Sequence, residues 1–132
     1  MKKSKIALLS FIAVLLVIIV AVKVTRPDII SVKLVFETTH TEITFTDTES
    51  VQIFQDAIRT TRKKSGSVDV GPPEQRIMVT YDNGKSEGYS IYLNFETYNG
   101  YLIKDSDSEK MLALKEKHAK KLAELLSRHA SN

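Results

Sequence analysis

The chain has 132 residues, with 19 Lys and Arg against 16 Asp and Glu for a formal net charge of +3; this is room for one folded domain, which excludes a multidomain enzyme. Lys2, Lys3, Lys5, Lys23 and Arg26 crowd into the first 26 residues, leaving 14 bases against 16 acids from 27 to 132, a net −2 that argues against a nucleic-acid surface. With no cysteine there is no disulfide, no thiolate metal site and no residue to carry a lipoprotein anchor.

From Ile6 to Val22 the chain runs 17 residues with Ser10 as the one polar side chain. As a helix this is about 26 Å long, close to a hydrocarbon core of about 30 Å, and snorkelling Lys5 and Lys23 would close the gap. The pattern predicts an N-terminal transmembrane helix. Residues 1–26 are then a cytoplasmic basic tip and signal anchor, with three lysines on the amino side setting the orientation, and residues 27–132 an extracytoplasmic domain. A cleaved leader is the rival reading, but no A-x-A precedes a cut: Ile19 stands two places before Ala21, and Lys23 follows.

Beyond Pro27, Ile30, Val32, Leu34 and Phe36 alternate with polar residues and predict a strand over about 29–37. Thr38-Thr39-His40-Thr41 makes a polar loop, and Ile43 and Phe45 mark a second strand that closes a hairpin. Asp47 and Thr48 offer N-cap oxygens, and Thr46 and Glu49 have capping-box spacing. Val51, Phe54, Ile58 and Thr61 then recur at helical intervals, before Arg62-Lys63-Lys64 complements a helix carboxyl end. Ser65 to Glu74, with Gly71-Pro72-Pro73, reads as loop.

A three-stranded meander follows, through Ile77, Val79 and Tyr81, then Tyr89, Ile91, Leu93 and Phe95, then Tyr101 and Ile103. Parity selects its turns, because one apolar face requires a three-residue Asp82-Asn83-Gly84 loop with Ile77 opposite Tyr89. The same device at Tyr98-Asn99-Gly100 would set Phe95 opposite Ile103. Ser106 to Arg128 closes the chain as a helix, with Ser106 and Glu109 at capping-box spacing and a stripe of Met111, Leu114, His118, Leu122 and Leu125. The expected fold class is α+β, a two-layer domain of order ββαβββα whose antiparallel sheet carries both helices on one face.

Chemistry is thin along this chain. His118 and His129 are 11 residues apart, about 16 Å along a helix, too far to share a metal ion. His40 sits in a hydroxyl-rich loop. Asp105, Asp107 and Glu109 alternate like calcium ligands, but the glycine and distal glutamate of an EF-hand are missing, and helix capping accounts for acids there. No nucleophile elbow, zinc-binding helix motif or glycine-rich phosphate loop is present. Catalytic, cofactor and metal sites are therefore not expected. The open face of the meander is the better lead: Met78, Tyr92 and Leu102 would point away from the helices among Thr80, Ser90 and Asn94, as a partner-binding surface.

Three segments carry a resemblance: Glu49-Ser50-Val51 into Ile58-Arg59-Thr60, Lys64-Ser65-Gly66-Ser67-Val68-Asp69-Val70 ahead of Pro73, and Val79-Thr80-Tyr81-Asp82-Asn83-Gly84. Over roughly residues 29–128 the chain resembles the YhfM-like domain of small exported or membrane-tethered proteins of bacilli. The resemblance implies an extracytoplasmic domain and supplies no catalytic residue; the chain departs from the lipoprotein form of that family by lacking the cysteine. The reading is thus a membrane-anchored interaction module, held in the bilayer through Ile6–Val22 and binding an envelope protein. The alternative is a small envelope enzyme or ligand-binding domain with a site near the Ser65–Glu74 loop, which a deep cleft by Asp69 would favour.

Overall fold

The computed structural model describes residues 9–18, 26–64 and 71–130. Residues 9–18 are helical and expose large apolar side chains. Ten residues reach about 15 Å, half a hydrocarbon core, and among the described residues no helix is long and apolar enough to cross a membrane. This corrects the spanning helix expected over Ile6–Val22, whose two ends lie outside the described residues.

The domain is α+β, but with two more strands than its periodicity suggests. In chain order the elements are β1 (Ile29–Phe36), β2 (Thr41–Phe45), α1 (Thr48–Arg59), β3 (Arg62–Lys64), β4 (Gln75–Tyr81), β5 (Ser86–Leu93), β6 (Gly100–Lys104), β7 (Asp107–Ala113) and α2 (Glu116–Ala130). They build one seven-stranded sheet of order β2-β1-β4-β5-β6-β7-β3, with every pairing antiparallel. The expected order ββαβββα is therefore replaced by ββαβββββα.

The β1–β2 hairpin forms as the alternation predicts, except at its start. A register shift between Ile29 and Ser31 turns Ile30 outward, 53% exposed, and buries Ile29 in its place. The bulge frees the Ile29 N–H, which donates to Oε1 of the buried Gln55 at 2.7 Å. Helix α1 starts one residue later than the Thr46–Glu49 spacing suggests. Asp47 is the N-cap, and its carboxylate accepts from the Ser50 N–H at 2.9 Å. That bond holds the Asp47 carboxyl below its usual range.

At the far end of α1, Thr60 and Thr61 turn their hydroxyls back onto the carbonyls of Asp56 and Ile58, at 2.7 and 2.9 Å, and stop the helix. Arg62-Lys63-Lys64 is therefore free to extend, and pairs with β7 instead of capping the helix. Arg59 meanwhile donates to the Pro27 carbonyl and the Asp28 carboxylate, tying the end of α1 to the start of β1. A flat sheet would hold β1 and β3 five spacings, roughly 24 Å, apart. Since only Thr60 and Thr61 separate α1 from β3, the sheet must coil around its helices.

The first meander turn follows the parity argument. Ile77 lies opposite Tyr89, and Gly84 takes φ +84°. The second does not. A longer loop of residues 94–99 forms, in which the Asn94 side chain accepts from the Glu96 and Thr97 N–H groups and Tyr98, not Gly100, has positive φ. Gly100 instead begins β6 opposite Leu93, and a Cβ there would meet the Tyr92 carbonyl and the Leu93 backbone. The shift puts Leu102 opposite Ile91 on the covered side, while Ile103, expected there opposite Phe95, pairs with Ser90 and turns outward.

The expected helix from Ser106 is also corrected. Asp105 and Ser106 form a tight turn, Lys104 faces Asp107, and residues 107–113 run as β7 beside β6. Helix preference is worth only tenths of a kcal/mol per residue, less than leaving the whole ladder of β6 unpaired. Helix α2 accordingly begins only at Glu116, where the Lys115 carbonyl accepts from His118 and Ala119.

Val32, Leu34, Ile77, Val79, Ile91 and Leu102 of the sheet share one core with Val51, Phe54 and Ala57 of α1 and Leu122, Leu125 and Leu126 of α2. Both helices lie on one face of the sheet.

Candidate functional site

Because α1 and α2 both occupy one face, neither covers the other face of the seven strands, which the 71–74 segment reaches at Tyr92. The register lays one rung straight across it, Glu42, Val35, Arg76, Ser90, Ile103, Met111 and Lys64, one residue from each strand. The next rung carries Tyr92, Tyr101, Ala113 and Arg62. Tyr92 and Tyr101 are stacked, with centroids 5.0 Å apart and planes inclined by 16°. The Tyr92 hydroxyl donates to the Gly71 carbonyl at 3.0 Å, which fixes the pair against the end of the 71–74 loop. Burial and the neighbouring Tyr92 ring raise the Tyr101 phenol above its ordinary value.

Around this apolar strip the charges pair with one another. Lys33 meets Glu42 at 3.4 Å, and Arg76 bridges Asp105 at 3.3 Å and Glu37 at 3.9 Å. Gly88 lies beneath the Asp105 carboxylate, where a side chain would collide with it.

Of the three residues expected on this face, Met78 is there and 44% exposed, and Tyr92 is there and half-buried. Leu102 is not. It is 1% exposed in the core, and its neighbours Tyr101 and Ile103 take the outward positions. The shift in the 94–99 loop is the whole cause, and the Asn94-x-x-Thr97 sequence that makes the turn is the signal that could have located it. Met111 was hidden because its segment reads as helix.

A second feature lies on the helix side, where the β1–β2 loop meets the end of α2. A cavity of about 560 Å³ is lined there by Phe36, Thr39, Glu74, Gln75, Phe95 and His129, among others. Glu74 closes the loop expected to flank a site, whereas Asp69 lies outside the described residues. His129 stands edge-on to the Phe45 ring at 5.0 Å, and His118 is half-buried elsewhere on α2. His40 is exposed with φ +55°. Asp105 pairs with Arg76 and Asp107 with Lys110, so neither caps a helix as expected. Among the described residues no group of three His, Asp or Glu side chains converges to hold a metal.

These surfaces define a class: a small antiparallel α+β domain with α1 and α2 on one face of a seven-stranded sheet. The chain belongs to the YhfM protein family, whose family model matches residues 26–132. No curated protein and no solved structure matches it.

Proposed function

We propose that this YhfM-family domain is an interaction module that binds a protein of the cell envelope through its open sheet face. The observation that carries the reading is the stacked Tyr92–Tyr101 pair set beside Ile103 and Met111. Aromatic, methionine and arginine side chains are enriched in protein-binding patches, and Tyr92, Tyr101, Met111 and Arg76 share this face. Location outside the cytoplasm belongs to the same proposal. Its support is compositional: an uncharged apolar run behind Lys2, Lys3 and Lys5 is how an export leader reads.

A photo-crosslinking residue at position 101 should capture a discrete envelope protein in intact cells, and one at exposed Lys120 on α2 should not. Equal capture at both positions, or a domain shielded from protease added to protoplasts, refutes the proposal. The cavity at Glu74 favours a second reading, a ligand-binding domain with its site beside the Ser65–Glu74 loop.

A further inference from the structure

We propose that the cavity between the β1–β2 loop and the carboxyl end of α2 binds a small neutral sugar carrying an N-acetyl group. The proposal rests on the ligand-binding reading above and is independent of the open face, which lies on the opposite side of the sheet.

Gln75 is the central observation. It sits on the covered face between Phe36 and Ile91, is 7% exposed and lines the cavity. The other buried glutamine, Gln55, spends its carbonyl oxygen on the Ile29 N–H. The side chain of Gln75 has no such partner among the described residues, yet no fully buried side-chain polar atom among them is left unsatisfied. Gln75 lines the cavity, so its amide is placed to meet water or a ligand there. A carboxamide offers two donors and two lone pairs, and leaving them unmet in a buried place is costly. Its best complement is another amide, donating and accepting at once.

The surrounding chemistry narrows the class. Among the described residues no Lys or Arg lines the cavity, and its one imidazole, His129, is packed edge-on against Phe45. Glu74 and the partial negative charge at the end of α2 disfavour anions, so a phosphate or sulfate ester does not fit. Hydroxyls stand at the rim, where Oγ1 of Thr39 and of Thr41 are 2.9 Å apart. Together with the Glu74 carboxylate they suit the hydroxyls of a sugar ring. Phe36 and Phe95 add apolar surface for its C–H face and for an acetyl methyl group. The volume of about 560 Å³ falls within the usual range for small-molecule sites.

The test uses the full chain in a detergent without a sugar headgroup, with NMR observation of the Gln75 side-chain amide in the parent and of the Thr39 and Glu74 backbone amides in parent and variants alike. Three probes are titrated: N-acetylglucosamine, glucose and N-methylacetamide. N-acetylglucosamine should shift the amide saturably, and each of the other probes, lacking one half of the recognition, should bind at least about tenfold more weakly. Gln75→Leu should weaken N-acetylglucosamine about tenfold while its circular dichroism stays that of the parent. If that variant does not fold, Thr39→Val at the exposed rim carries the same expectation with a smaller loss. Equal binding of glucose would overturn the N-acetyl requirement, and equal binding of N-methylacetamide the sugar class; either overturns the proposal and leaves a ligand site standing. No saturable shift with any probe, or full binding by both variants, would overturn the site itself.

Discussion

Leu102 and Tyr101 are adjacent, and their fates differ because successive side chains in a strand point to opposite faces. Leu102 is enclosed between Ile91 and Leu112 on the covered side. Leu102→Ala should therefore cost about 2–5 kcal/mol, the usual range for a buried leucine, measured by urea unfolding. Tyr101→Ser should cost less while removing one ring of the stack, so its larger effect belongs in crosslinking to a partner. A Leu102→Ala variant as stable as the parent would show that β6 has the opposite parity. Tyr89 permits a pH prediction. Burial, with a smaller contribution from Tyr81, raises its phenol well above the ordinary value of 10.0. Ionisation is then easier in the unfolded chain, so the stabilising difference is intact below pH 10.0 and lost as pH rises beyond it. Tyr89→Phe should flatten the fall in stability above that pH, and parallel curves for parent and variant would contradict it.

At the scale of elements, turns decided what the sequence could tell. Gly84 at φ +84° terminates β4 as its Asp-Asn-Gly sequence suggests. Gly84→Val should cost more than Gly84→Asn by about 1 kcal/mol, since asparagine tolerates the left-handed region and a β-branched residue does not; thermal melts of the pair would show equal loss if the turn were otherwise. β1, β2, α1 and β4 were legible because their apolar spacing and their contacts agree. β5 and β6 were legible as strands, but the register of β6 and the existence of β7 and β3 were not. The 94–99 turn is set by an asparagine side chain, and apolar alternation carries no trace of it. Residues 107–113 contain good helix formers, and only their pairing with β6 and β3 makes them a strand. The open face was legible in kind, through Met78 and Tyr92. It was misplaced at Leu102, because one parity error moves a side chain across the sheet.

Over the whole molecule, burial is uneven. The fully enclosed sheet residues Val32, Leu34, Val79, Ile91 and Leu102 lie in β1, β4, β5 and β6, whereas no residue of β3 or β7 is buried. The β7–β3 wing is therefore held chiefly by its ladder, and local stability tracks buried apolar contact. Amide hydrogen exchange should divide the sheet accordingly. β1, β4 and β5 should exchange only through global unfolding, and β3 and β7 through a local opening of lower free energy that depends less steeply on denaturant. That wing also presents Met111, Ala113, Arg62 and Lys64 to the open face. Ordering it on docking would cost affinity but let the surface fit its partner. A partner seated on the face should then slow exchange in β3 and β7 more than in β1. Exchange in the free protein as slow in β7 as in β4 would mean a rigid wing, and recognition by a preformed surface.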